Sequence, residues 1–176
     1  MKKLFFLLAA AILLVTACEP TTKTYTWRDL SFEYPSDYSV EILSEGEDLV
    51  RLLIGVDDDN FMLAELHEYD EDDLGELTVD EIQEAIESDA MGIYQLDVDD
   101  ENMTIDGHPD VITSPDGSVP GVLFLYSGTH YEDVIKARIS VTVLGTYEII
   151  LRYEAVDDKE LDRMTDIATS FKLGEE

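Results

Sequence analysis

A single cysteine, Cys18, stands among the 176 residues, so no disulfide can form within the chain. Basic residues are also scarce. Eleven Lys plus Arg face forty-one Asp plus Glu, a formal net charge of −30 at pH 7. A nucleic acid would be repelled by such a chain rather than neutralised, which excludes it as a partner. A basic helix lying on a membrane surface is excluded in the same way. Long apolar runs are missing too: the longest, Leu4 to Val15, has twelve residues, short of the about 20 that span a bilayer. Core material is not lacking. At 45% hydrophobic and 9% aromatic the chain is unlike an acidic disordered tail, and its length suits one domain.

That twelve-residue run follows Met1-Lys2-Lys3, a short positive segment, and together they read as a secretory signal. Val15-Thr16-Ala17-Cys18 comes next: a branched apolar residue, two small ones, then the cysteine. The segment resembles the lipobox of bacterial lipoproteins. The resemblance implies cleavage between Ala17 and Cys18 and acylation of Cys18, palmitate included, which leaves no free thiol. Loss of Lys2 and Lys3 deepens the net charge from −30 to −32. Residues 1–17 are then the signal peptide, 18–25 the lipidated cysteine with a short polar tether, and 26–176 the folded domain. A tether of this kind reaches at most ~20 Å at about 3.3–3.6 Å per residue, so the membrane is met through the lipid and the domain stays close to it.

From Tyr25 the apolar period is mostly two. Trp27, Leu30, Phe32 and Tyr34 form one extended stretch ending at Pro35-Ser36-Asp37, and Tyr38 to Leu43 is a second strand. Leu49–Val56 and Phe61–Tyr69 form a hairpin across Asp57-Asp58-Asp59-Asn60. Two short strands flank Asp106-Gly107, and a turn at Pro115-Asp116-Gly117 leads into Val122–Ser127. Ile135, Ala137, Ile139, Val141 and Val143 then alternate with Lys136, Arg138, Ser140 and Thr142, and a turn at Leu144-Gly145 returns through Tyr147, Ile149, Leu151 and Tyr153. Such short connections predict an antiparallel sheet. Two segments switch to a period of 3.6. Thr78-Val79-Asp80-Glu81 is a capping box opening a helix with the stripe Val79, Ile82, Ile86, Ala90 and Ile93. Asp157 caps a second, with Leu161, Met164, Ile167, Ala168 and Phe171 on one face. Each helix must bury that face on the sheet, which predicts an α+β domain: a predominantly antiparallel β-sheet flanked by two main helices.

Phe32-Glu33-Tyr34-Pro35-Ser36-Asp37-Tyr38 resembles the opening F-x-Y-P-x-x-aromatic of PsbP-like and DcrB-like domains. Asp106-Gly107-His108-Pro109 is similar to their mid-chain Asn-Gly-x-Pro-Ala turn, with Asp106 for Asn and Asp110 for Ala. A helix running into Ser170-Phe171-Lys172 resembles their close. The resemblance covers about Trp27 to Leu173. It implies an α/β/α sandwich and non-catalytic, accessory or binding work, as in many envelope lipoproteins; the plant photosystem member helps retain calcium and chloride. No binding residue carries over, because the matched positions are fold markers.

Three acidic runs offer oxygen ligands to calcium: Asp57–Asn60, Asp70–Asp73 and Asp97–Asn102. The third, with Asp97, Asp99 and Glu101 at alternate positions, is nearest to a calcium loop. Asn102 where an EF-hand has glycine, and His108 where it has glutamate, exclude an EF-hand proper. The competing reading of all three runs is a solvated acidic coat, of the kind adapted to high salt. His67, His108 and His130 are scattered, with no H-x-x-x-H spacing for zinc. No G-x-S-x-G elbow and no glycine-rich phosphate loop occur. Tyr25, Trp27 and Tyr38 are candidates to line a pocket near the anchor. The leading expectation is thus a lipid-anchored, non-catalytic accessory or binding protein of the bacterial cell envelope, with no cofactor and an envelope protein as partner. The rivals are a Ca2+-binding module built on the acidic loops and a hydrolase using an acid pair with His67 or His130.

Overall fold

The computed structural model describes residues 22–57, 59–71, 74, 77–113, 120–130 and 133–174. Ala17, Cys18, Asp58, Asp72, Asp73 and the turn at residues 115–117 lie outside the described residues. The first strands form a hairpin: β1 (Thr22–Trp27) pairs antiparallel with β2 (Leu30–Pro35), Trp27 opposite Leu30. The single extended stretch expected over this region is therefore broken in two, between Trp27 and Leu30. Arg28 makes the break with a left-handed φ of 53°, a turn that arginine and aspartate do not advertise in composition. β1 also takes up Thr22, Lys23, Thr24 and Tyr25, residues assigned above to the tether.

Eight further strands form one antiparallel sheet: β3 (Ser39–Glu45), β4 (Leu49–Asp57), β5 (Asn60–Glu68), β6 (Met103–Ile105), β7 (Asp110–Thr113), β8 (Gly121–His130), β9 (Asp133–Leu144) and β10 (Tyr147–Ala155). Their order is β3-β4-β5-β10-β9-β8, with β6 and β7 side by side along β8. Gly107, at φ 80°, turns the chain from β6 to β7, and Gly145, at φ 62°, makes the β9–β10 turn; glycine takes such angles without a Cβ clash. Helix α1 (Val79–Asp99) is opened by the capping box at Thr78 and Glu81, and α2 (Asp158–Thr169) by the Asp157 carboxylate on the Glu160 N–H. A short β11 (Lys172–Leu173) joins β2, completing a three-stranded sheet.

The alternation along the strands divides the core into two layers. On one face Val50, Leu52, Ile54, Met62, Ala64, Leu66, Ile149 and Leu151 pack under α2 and the small sheet, with Leu161, Met164 and Ile167 from above. On the other, Val122, Phe124, Tyr126, Ile135, Ala137, Ile139 and Val141 pack under Ile86, Ala90 and Tyr94 of α1. Trp27 and Tyr38 are both core residues at opposite ends of the hairpin, so the aromatic pocket expected from Tyr25, Trp27 and Tyr38 does not form. The molecule has two poles. Thr22, Pro35, the Asp57–Asn60 turn and the start of α2 share one; Arg28, Glu68, Gly145 and Leu173 share the other.

Candidate functional site

Along β10, Tyr147, Ile149, Leu151 and Tyr153 face the α2 layer, so strict alternation sends Glu148, Arg152 and Glu154 to the other face. There the end of α1 covers them, and Glu154 is only 2% exposed. A charged chain results. Asp97, buried in the last turn of α1, accepts from the Tyr126 hydroxyl and from Arg152, whose Nη2 lies 2.8 Å from its Oδ1. The same Nη2 lies 2.5 Å from Glu154 Oε1, and Glu154 Oε2 lies 3.1 Å from His130 Nδ1. His130 Nε2 stands 3.9 Å from Asp100. Burial raises the Tyr126 hydroxyl pKa well above its usual range, and the bond to Asp97 adds to this. Burial opposes the charge on Arg152, yet Asp97 and Glu154 outweigh it and hold the guanidinium protonated. Because α1 has no basic residue in its last turn, Arg152 from β10 supplies the cation that the negative end of the helix favours.

This geometry reassigns the calcium candidates. Asp97 and Asp99 are helical, not part of a loop, and two residues on an α-helix point about 200° apart. The alternate spacing that would converge in an extended loop therefore diverges. Asp97 is committed to Arg152 and Tyr126; Asp99 accepts from Gln95 Nε2 at 3.0 Å, and Glu101 is exposed in the following turn. Asp100 accepts the Asn102 N–H at 2.8 Å, and that bond lowers its carboxyl pKa. The first acidic run is likewise structural, since Asp57 Oδ1 accepts from the Asp59 N–H and Asn60 Nδ2 across the β4–β5 turn. Among the described residues no group of three His, Cys, Asp or Glu side chains is arranged to hold a metal ion.

The histidines resolve as unequally. His130 and Glu154 border a cavity of about 90 Å³ with Asp59, Phe61, Asp133, Ile135 and Val156. Imidazole and carboxylate here can hold and pass a proton, but none of these lining residues carries a hydroxyl or thiol nucleophile. His67 lies half-buried on β5 opposite Glu148 and beside the Tyr69 ring, centroids 4.3 Å apart. His108 is exposed at the Gly107 turn.

At the opposite pole lies a wider depression of about 540 Å³. Arg28, presented by its left-handed turn, sits over the Trp27 ring and pairs with Glu68 and, at 3.6 Å, with Asp48. Tyr147 donates to Glu68 at 2.9 Å. Asp29, Asp70 and Glu71 complete an acidic rim. Of the residues here only Asp70 and Glu71, in the second acidic run, were singled out in the sequence; the depression itself depends on the unforeseen β1–β2 turn.

No family model matches the sequence, and no curated protein matches it. Solved structures do. The cyanobacterial PsbP (CyanoP) of Synechocystis sp. PCC 6803 aligns with a TM-score of 0.58 at 13% identity, over 89% of this chain and 95% of that one. A protein of Bacteroides thetaiotaomicron aligns with a TM-score of 0.50 at 9% identity, over 89% of this chain and 50% of its own. LpqN of Mycobacterium tuberculosis, described as involved in cell envelope biogenesis, gives 0.45 at 10% identity, over 90% and 88%. At these identities what is shared is the fold, and the chain has a PsbP-like α+β fold. The DcrB-like part of the resemblance rests on the sequence motifs alone. Among the described residues no helix is long and apolar enough to cross a membrane.

Proposed function

We propose that this chain is a lipid-anchored, non-catalytic binding protein of the bacterial cell envelope, acylated at Cys18, with its distal acidic depression turned away from the bilayer. The observation that carries the reading is the place where β1 begins. Only Glu19, Pro20 and Thr21 separate Cys18 from Thr22, and four Cα steps reach at most about 14 Å. The Thr22 pole is thereby held against the membrane, while β1 carries Arg28 about 20 Å away along a strand of six residues. The rim of Asp29, Asp48, Asp70 and Glu71 suits a partner with a basic patch. The buried relay of Asp97, Arg152, Glu154 and His130 ties the end of α1 to β8 and β10.

Fractionation of cells expressing the full chain tests the anchor. The wild type is expected in the membrane fraction through washes at high salt, and Cys18→Ser in the soluble fraction. A Cys18→Ser chain that stays with the membrane after those washes would overturn the reading.

A further inference from the structure

Arg138 is an anomaly of charge. Every other arginine among the described residues meets a carboxylate: Arg28 with Glu68, Arg51 with Glu65, Arg152 with Asp97, Arg163 with Glu160. Arg138 meets none among the described residues. Its Nη1 donates to Thr165 Oγ1, and its Nε is buried with no acceptor among the described residues. A guanidinium that meets no carboxylate among the described residues calls for a reason.

The surroundings supply one. Arg138 lines a groove of about 360 Å³ between the start of α2, the strands β8 and β9, and the β6–β7 turn. Lys136, on the same face of β9, lines it too and pairs with Asp158. The other wall carries Asp106, His108 and Asp110, all exposed, the two carboxylates without an ion pair among the described residues. A simple anion would be drawn to Arg138 but repelled by that wall. A molecule with both charges satisfies each side.

We infer that this groove binds a small zwitterion, its carboxylate or phosphate on Arg138 and its ammonium on Asp106 and Asp110. An oxyanion in the groove gives Arg138 the charged partner that every other arginine among the described residues has; the buried Nε, beside Tyr153 and Thr165, stays out of its reach. The site is separate from the distal depression and does not depend on the anchor.

The test is an NMR titration of the purified full chain, following the arginine Nε–H resonances. O-phosphoethanolamine and glycylglycine are the probes, standing for a lipid headgroup and a peptide; sodium acetate and sodium chloride at matched ionic strength are the controls. A saturable shift of the Arg138 resonance is expected, about millimolar for a ligand of this size, with one probe or both. A response confined to one probe assigns the oxyanion. Arg138→Gln should weaken binding about tenfold or more. Asp106→Asn with Asp110→Asn, at exposed positions just before and at the start of β7 that leave the core intact, should weaken the zwitterions and leave acetate unchanged or better bound. Shifts that follow ionic strength alone, or binding equally strong in the Asp106→Asn/Asp110→Asn protein, would overturn the inference.

Discussion

Arg152 stands between two carboxylates that are almost wholly shielded from water, Asp97 at 4% and Glu154 at 2% exposure. Removing it strands both charges in the interior. Arg152→Met should therefore cost about 3–5 kcal/mol in urea unfolding, whereas Arg51→Met, which breaks an exposed pair with Glu65, should cost under about 1 kcal/mol. Equal losses would mean that the buried chain is no more than surface decoration. Glu148 gives a pH signature. Burial raises its carboxyl pKa above 4.5, Asp89 adds to the rise, and the Tyr69 hydroxyl bonded to it at 2.9 Å pulls the other way. The folded state thus holds this proton more tightly than the unfolded chain does. Its stabilising contribution is full below the unfolded value and is lost as pH rises through the folded one. Glu148→Gln should be relatively more stable at pH 7 than at pH 4, compared with wild type by thermal melts; a difference that does not change with pH would contradict this. Neither residue was legible as buried in the sequence, because alternation along β10 gives each a side but does not say that α1 roofs that side.

At the scale of elements, local chemistry was the readable part. The Thr78 capping box, the Asp157 cap and the alternation of β9 each rest on neighbours in sequence, and each forms as expected. Thr78→Ala and Asp157→Ala should each cost about 1 kcal/mol, seen as a lower urea midpoint with an unchanged slope. The stripe of α1 was read from Val79 to Ile93; Val79 is exposed, and the buried face runs on to Tyr94, edge-on to Phe124 and Tyr126 of β8, and to Asp97, bonded to Tyr126 and Arg152. The family motifs gain a physical meaning from the fold. Ser170 accepts the Glu33 N–H at 2.8 Å, Phe171 lies 4.8 Å from Phe32, and Lys172 reaches Glu33, so the opening and closing phrases of the sequence hold each other. Ser170→Ala should destabilise by about 1–3 kcal/mol by leaving that N–H without its acceptor; a melt identical to wild type would sever the link.

For the whole molecule the governing quantity is charge. With forty-one acids and eleven bases the folded state repels itself, and raising salt from 0.1 M to 1 M shortens the screening length from about 10 Å to about 3 Å. The melting temperature should climb with sodium chloride. At matched ionic strength calcium and magnesium should act alike, because Asp97 is occupied by Arg152 and Asp99 points elsewhere. A saturable rise with calcium alone, abolished by Asp99→Ala, would restore a specific site. In the proposed arrangement, acylation of Cys18 sets which of the two poles faces away from the bilayer and meets a partner. The measurement that bears on this most directly is the mass of the N-terminal peptide from membrane-extracted protein. The expected peptide begins at Cys18 and carries acyl chains on that residue. A peptide that begins anywhere else, or a Cys18 with an unmodified thiol, would contradict the tethered arrangement.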